Sequence, residues 1–562
     1  MVTLKKTLAL LLATLAALSL LAGCGQEPSN SQPSKSETEN EDSSGSAVDV
    51  SGYPNSADNP TVTVHTSQPP NGFSVTAVPD TLTVAQGGEP ITLYPQAGNQ
   101  LPAIIAMRPL YETLINYNPF TDEYEPRLAE SWEMMDDETI RIHLRKGVYC
   151  HAGYEMTAED VLWTAQRGAE ESVASFVWSA FDLSRSKVVD TYTVDFVTYG
   201  PFGPILDYLS NTSVGYIVNK QAYEEQSPEN YSRNPTGGTG PYRFVEWIAG
   251  DRVVYERNEE YWGDKPYFKN LVIRNIADDV TRALSLESGE VDMIYGVDTA
   301  SYQTLLDSPT TNLVTFPSYQ LIHLGLNNTV EPFNDPRVRK AMWYALDLDS
   351  MVNLAFSGQA EVADGCWPNS LTVYKPAEGD VAHVHDIEKA KALLKEAGWE
   401  DGFTFDLWVA ETTAWVQMAE MIQNALAGIN ITAKVQVMDQ NTLLTKRSDG
   451  TYQAYIARFS SSSGDGDWWY NRLYSTGTWQ ENVMQYKNDR VDELLTTARY
   501  SLDAQERNEC YLEILQQWRE DLPWISLACP QMTYGIRSTL DGVEPHGYGI
   551  ADLRYIHPIS GK

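Results

Sequence analysis

The chain has 562 residues, with 40 Lys and Arg against 76 Asp and Glu, a formal net charge of −36. That balance excludes function by gripping a nucleic-acid backbone, which needs clustered cations, and it would repel anionic lipid headgroups as well. At this length a single core is no longer the best solution, so two or more domains are expected.

Taken in chain order, the first signal is a leader. Lys5 and Lys6 precede an apolar run from Leu8 to Leu21, a length that suits a signal-peptide core and is too short for a comfortable bilayer span. The run ends in Leu21-Ala22-Gly23-Cys24, which resembles the lipobox of bacterial lipoproteins. The resemblance implies removal of residues 1–23, acylation of Cys24 and a body held at the membrane through that lipid anchor. Residues 24–60 are rich in Ser, Glu, Asn, Pro and Gly and read as a disordered tether, since they have too little apolar surface to offset the entropy of ordering.

From Thr81 onward short β patterns alternate with amphipathic helices, so the fold class is α/β. Thr81–Ala85 and Thr139–Arg145 alternate as strands, the second with Ile140, Ile142 and Leu144 on one face. Asp335-Pro336 reads as an N-cap and first helical residue, and Asp386 caps a helix that Gly398 ends. Asp489–Trp518 reads as two helices meeting near Leu502-Asp503. Four cysteines besides Cys24, namely Cys150, Cys366, Cys510 and Cys529, make no disulfide framework. Cys510 with Cys529 is the best-spaced pair, and free buried thiols are an equal reading.

No phosphate-binding Gly-rich loop, no His-Glu-x-x-His and no Gly-x-Ser-x-Gly elbow occurs, so neither a nucleotide motor nor an enzyme is expected. His383-Val-His385-Asp386 has metal-ligating residue types, but no second cluster supports it and Asp386 already has a capping role; no metal and no cofactor are expected. His151 is given a structural role, and acidic pairs such as Asp136-Asp137, Asp278-Asp279 and Glu259-Glu260 read as solvated loops or helix starts.

Six segments in order carry a family resemblance. They are Leu110–Leu114 with Pro126–Trp132; Leu144–Val148 with Thr157–Val161; Gly238–Tyr242 with Arg257-Asn258 and Tyr261–Gly263; Arg282–Leu284 with Ser288–Asp292; Phe333–Ala341; and Ala390–Leu394 with Glu396–Trp399. Together they resemble the family-5 bacterial extracellular solute-binding proteins, the oligopeptide, dipeptide and nickel binders of ATP-driven importers. The resemblance implies a periplasmic-binding-protein type II fold, two α/β lobes around a hinge with an additional subdomain inserted in the first lobe. It places lobe I at 61–117 and 236–322, the insertion at 118–235, lobe II at 323–525, and a return to lobe I at 526–562. It also implies a monomer that passes a peptide or other small solute to an ABC permease with its ATPase. Local readings stand beside it. The Gly238-Thr-Gly-Pro run makes a tight turn in which Gly tolerates positive φ, Tyr261-Trp262 is a packing anchor, and Arg337 and Arg339 are ion-pair partners.

The site expected from the resemblance centres on Arg458–Asn471, which reads RFSSSSGDGDWWYN. The family's cleft loop there often reads Ala-Asp-Tyr-x-Asp-Pro, its first Asp capturing a peptide's α-ammonium. Ser462 stands in that Asp's place and Asp465-Gly466 where Asp-Pro would be, so Asp465 or Asp467 must supply any charged clamp; otherwise hydroxyls hold the ligand's end. Trp468 and Trp469 are candidates to line the site, or they pack the next helix. Asn99, Gln100 and Leu101 match the loop whose backbone pairs with an extended peptide, and Phe176 and Trp178 belong to the subdomain that partly covers the cleft. A peptide receptor is the leading reading. An oligosaccharide receptor, favoured by 15 Trp and 32 Tyr, is the alternative, and a surface hydrolase or an adhesin stands further off.

Overall fold

The computed structural model describes residues 55–58, 62–66, 80–118, 121, 123–171, 173–363, 365–371, 383–476 and 481–559. The leader, Cys24 and the expected tether apart from 55–58 lie outside the described residues. The described part of that stretch is no tether. Ser56 is buried, its backbone N–H and hydroxyl donate to Asp541 at 2.9 and 2.5 Å, and its Oγ accepts from the Val543 N–H at 2.9 Å. Three hydrogen bonds fix this short turn without any large apolar side chain. The strand Thr63–Thr66 then pairs antiparallel with Thr311–Pro317.

One strand organises the rest. Trp524–Arg537 pairs antiparallel over its first half with Gln320–Leu326, and over its second half with Thr311–Pro317. The chain therefore crosses from one half of the molecule to the other at Ser318-Tyr319 and at Cys529-Pro530, side by side. The crossings are fastened to each other and to their surroundings: Ser318 Oγ donates to the Pro530 carbonyl, and Tyr319 N–H to Gly547 O at 2.8 Å. On one side of the crossing the sheet continues through Gln320–Leu326, Ala454–Ser460, Thr404–Ala410 and Thr432–Met438; on the other through Met293–Ile294, Thr81–Gln86, Asn270–Asn275, Arg252–Arg257 and Tyr242–Ile248. Both halves mix parallel and antiparallel pairs and are covered by helices, so each is an α/β lobe.

Three large buried clusters follow this division. One gathers residues from Tyr319 to Cys529, a second joins Leu82–Tyr111 to Tyr216–Phe316 and Tyr534–Ile556, and a third spans Leu114–Ile217. The third belongs to a subdomain with its own four-stranded sheet, Ala129–Met134, Thr139–Leu144, Thr193–Val197 and Lys187–Asp190 in that order. Ile140, Ile142 and Leu144 point into it, as their alternation requires.

The local signals hold where the physics is local. Asp335 accepts from Arg337 N–H at 2.8 Å to start the helix Pro336–Ala345, Asp386 accepts from Lys389 N–H at 2.9 Å to start Ile387–Glu396, and Gly398 has φ +81°. The helices Asp489–Tyr500 and Ala504–Asp521 meet at the Asp503 cap. Gly238 and Gly240 differ from expectation. Neither has positive φ; a Cβ on Gly238 would lie 2.0 Å from the Leu110 carbonyl oxygen, and one on Gly240 would lie 2.5 Å from that carbonyl's carbon, so close backbone approach is what demands glycine. Arg337 does pair with Asp335, at 2.6 Å, but Arg339 is no ion-pair partner: buried, it donates to the carbonyls of Phe333 at 2.6 Å, Leu522 at 2.8 Å and Asp521. Tyr261 is more than a packing anchor, since its hydroxyl donates to Glu112 at 2.6 Å and accepts from Arg127 and Arg554 at 3.2 and 2.9 Å. All four cysteines in the described residues are buried, and none is assigned to a disulfide. Among the described residues no helix is long and apolar enough to cross a membrane.

Candidate functional site

The strand Ala454–Ser460 delivers the chain to the loop 461–465, beside the crossing between lobes, where Ser461 N–H donates to Tyr319 O at 2.9 Å. The serine-rich run is buried and tightly bonded. Ser461 Oγ donates to Ser463 O at 2.6 Å, Ser463 Oγ accepts from Asp465 N–H at 3.2 Å, and Asp465 accepts from Asp467 N–H at 2.8 Å to open the 3-10 turn Gly466–Trp469. Small hydroxyl side chains can satisfy a sharply folded backbone where larger ones would not fit. Gly464 comes close to the subdomain: a Cβ there would stand 3.2 Å from the Tyr117 hydroxyl.

The loop is clasped to the subdomain by side chains. Asn211 Nδ2 donates to Ser462 Oγ at 3.0 Å, Tyr208 Oη donates to Asp467 at 2.9 Å, and Trp468 Nε1 donates to Asp207 at 2.9 Å. The half-buried Trp468 ring stacks near Tyr208, with centroids 5.9 Å apart, and meets Phe176 edge-on at 5.1 Å. Trp178 and Trp469 are fully buried, in the subdomain core and the core around Tyr319–Cys529 respectively, and present no face to a solute.

Neither of the candidate clamp acids is unpaired. Asp467 receives Arg499 Nε and Nη2 at 2.7 and 2.9 Å, and Asp465 receives Arg507 Nη2 at 2.7 and 2.5 Å on its two oxygens. Both arginines come from the helix pair Asp489–Tyr500 and Ala504–Asp521, and the pairing raises the pKa of each despite the burial that opposes it. The third acid, Asp207, is pushed well above the ordinary carboxylate range, first by burial and then by Asp465 nearby. Arg499, Arg507, Asp207, Tyr208 and Asn211 carry no local sequence signal; each matters only through a partner distant in the chain.

A cavity of about 360 Å³ opens between the lobes. One wall is Gln86, Gly87 and Gly88 at the end of a lobe I strand, with Leu101 and Ile105 of the helix Leu101–Met107; the other includes Gln320 and Arg458, and Gln531 and Met532 of the shared strand run beside them. Of the three matched loop residues, Leu101 is half-buried and lines this cavity, while Asn99 and Gln100 are exposed just before the helix. Gly98 and Gln100 have extended backbone, and among the described residues Asn99 has no hydrogen-bond partner. Arg458 is open to solvent yet crowded by protein atoms inside this concave wall, which pulls its pKa below the usual arginine value. Its one hydrogen bond among the described residues goes to Gln320 Oε1 at 3.2 Å. Arg282, also on the wall, is buried and donates to Ile276 O at 2.8 Å and to Asp279. A second cavity, of about 290 Å³, lies where the subdomain meets the end of the helix Asp489–Tyr500 and is lined by Phe176, Tyr199, Phe202, Tyr208, Arg499 and Tyr500.

The remaining candidates fall into structural places. His383 Nε2 bonds the Trp343 carbonyl at 3.0 Å and Asp386 caps its helix; among the described residues no group of metal-ligating side chains gathers. His151 Nε2 bonds Gly240 O at 3.0 Å, and burial lowers its pKa to about 4, so it is a neutral scaffold residue. Asp278 caps a helix through Thr281 N–H at 2.8 Å.

Comparison with known proteins agrees with this architecture. Residues 123–481 match the bacterial extracellular solute-binding proteins, family 5 Middle. The chain is 28% identical over 470 residues to the dipeptide-binding protein of Escherichia coli (strain K12), covering 78% of this chain and 87% of that one. It is 30% identical over 430 residues to the glutathione-binding protein GsiB of Pectobacterium atrosepticum, covering 74% and 82%. Among solved structures, the ABC transporter-associated periplasmic binding protein DppA from Helicobacter pylori, in complex with the peptide STSA, superposes with a TM-score of 0.72 at 26% identity, over 85% of this chain and 98% of the other. The two lobes with their double crossing are the type II periplasmic-binding-protein fold. The chain belongs to the bacterial extracellular solute-binding proteins of family 5, and is a solute-binding protein of an ABC transporter, not an enzyme.

Proposed function

We propose that this chain captures a short peptide, or a closely related small solute, between its lobes and hands it to the membrane permease of an ABC importer. The observation that carries the reading is the interlobe cavity of about 360 Å³, whose walls come from both lobes and from the strand they share. Its size falls in the range of about 300–1,000 Å³ typical of small-molecule sites. The exposed Asn99 and Gln100 beside it, the latter with extended backbone, offer main-chain groups to an extended peptide, a mode of binding that gives affinity without reading side chains. Two relatives named for a dipeptide and for glutathione, and a solved relative holding a peptide, lie in the same chemical class. Because the described chain passes between the lobes at two adjacent crossings, a solute touching both walls favours the closed arrangement by its added contacts, and the permease reads that state. The receptor acts as a monomer, tethered to the extracytoplasmic face of the cell membrane through Cys24. Lys5, Lys6, the apolar run to Leu21 and the Leu-Ala-Gly-Cys ending support that anchorage.

A thermal-shift panel of short peptides, sugars and metal chelates tests the ligand class. Peptides are expected to raise the unfolding midpoint, as any ligand of the native state does. Stabilisation by sugars alone would remove the peptide assignment. For the anchor, a Cys24→Ala variant expressed in bacteria should leave the membrane fraction, and its retention there would count against lipidation.

A further inference from the structure

We propose that the solute of this cleft carries a carboxylate and needs no free ammonium group, so that N-blocked or non-amine carboxylates bind as readily as free peptides. The inference rests on the receptor reading above and narrows it.

Holding an ammonium group out of bulk water takes an available carboxylate, because a buried charge without a partner costs several kcal/mol. The loop has no carboxylate to give. Both oxygens of Asp467 are taken by Arg499, with Tyr208 added, and those of Asp465 by Arg507, with the Asp467 N–H added. Diverting either acid to a ligand would strand an arginine that is mostly removed from water, with side-chain exposures of 20% and 7%. Each pair is electrically neutral, so the loop presents no net negative charge to the cleft. Asp207 already accepts from Trp468.

The cavity has the opposite character. In a chain with 36 excess negative charges, its wall contains two arginines and no acidic side chain. The guanidinium of Arg458 is answered only by a neutral amide oxygen, and no acidic side chain among the described residues pairs with it. Further unmet demand sits on the same wall: among the described residues Arg282 Nε and Tyr534 Oη, both on buried residues, have no hydrogen-bond partner, and neither has Gln86 Oε1. Two of those three atoms are donors, and Arg458 adds donors and charge. A carboxylate meets the donors and the charge, since it accepts several hydrogen bonds and pairs with a guanidinium in a planar fork; Gln86 Oε1, an acceptor, takes a donor from elsewhere on the solute.

The test uses mixtures of dipeptides and tripeptides with randomised side chains, prepared free, N-acetylated and C-amidated, titrated by calorimetry against the full chain. N-acetylation should change the apparent affinity by less than about threefold, while amidation should weaken it about tenfold or more, the worth of a hydrogen-bonded charge. In Arg458→Gln the gap between free and amidated mixtures should close. If acetylation costs about tenfold and amidation little, the receptor reading stands and this inference is overturned. If no mixture in any form binds, the peptide reading itself falls and takes the inference with it.

Discussion

The loop 461–469 and the interlobe cavity both carry charged side chains, and they partner them in opposite ways. At the loop every acid has its answer within the protein: Asp467 with Arg499, Asp465 with Arg507, and the subdomain's Asp207 with the Trp468 indole. In the cavity Arg458 has a neutral partner, and three buried polar atoms on the same wall have none among the described residues. A fold tolerates unmet polar groups mainly where something else completes them. The difference teaches that the residue types which look most ligand-like, an Asp-rich loop with two tryptophans, serve as a structural clasp. The unremarked arginine beside them is the group with capacity to spare.

The largest expected effect lies in the clasp. Asp467→Asn leaves Arg499 charged, mostly buried and without its carboxylate, and should lower unfolding stability by about 3 kcal/mol in urea titrations. A loss under about 1 kcal/mol would mean that the pair exchanges freely with solvent, as surface pairs do, and that the acid is available to a ligand after all. Arg458→Gln is the counterpart. With no carboxylate to strand, its unfolding stability should stay within about 0.5 kcal/mol of the parent while solute affinity falls. A stability loss as large as that of Asp467→Asn would make Arg458 a structural residue and erase the contrast.

Sequence made local features legible. Alternation located Thr139–Leu144, and single residues announced helix ends at Asp335, Asp386, Asp503 and Gly398, because a cap or a left-handed turn depends on neighbours a few positions away. The six ordered segments carried the fold, most of them as scaffold: the Gly238-Gly240 pair was visible as a pattern although its cause, the Leu110 carbonyl, was not. The site was less legible because its decisive pairs are tertiary. Asp465 and Arg507 are 42 residues apart, Asp467 and Tyr208 are 259 apart, and Trp468 and Asp207 are 261 apart. Nothing near Asp465 says that an arginine from a later helix will occupy it. Composition misled at Ser56 for a related reason: a turn held by hydrogen bonds to Asp541 and Val543 needs no apolar side chain to dock.

Asp207 gives the finest test of whether the clasp is neutral. Burial first, and Asp465 second, raise its pKa above the ordinary carboxylate value of about 3.9 that it recovers on unfolding. Between that ordinary value and the raised one, the folded chain holds a proton that the unfolded chain has released. Stability from this group is therefore fully present at acid pH and falls as pH rises through the interval. Asp552 runs the other way: burial opposes its ionisation, but Arg554, Arg108 and Arg127 outweigh it and hold the carboxyl near pKa about 2, so its contribution is lost only as pH drops toward that value. Asp207→Asn keeps an acceptor for the Trp468 indole and removes the titration. Urea midpoints from about pH 4 to about pH 8 should thus fall less steeply in the variant than in the parent. Parallel profiles would mean that Asp207 is ionised in the fold. The loop would then hold a negative charge with no cation assigned to it, and the preference for an ammonium-free carboxylate solute would lose its footing there.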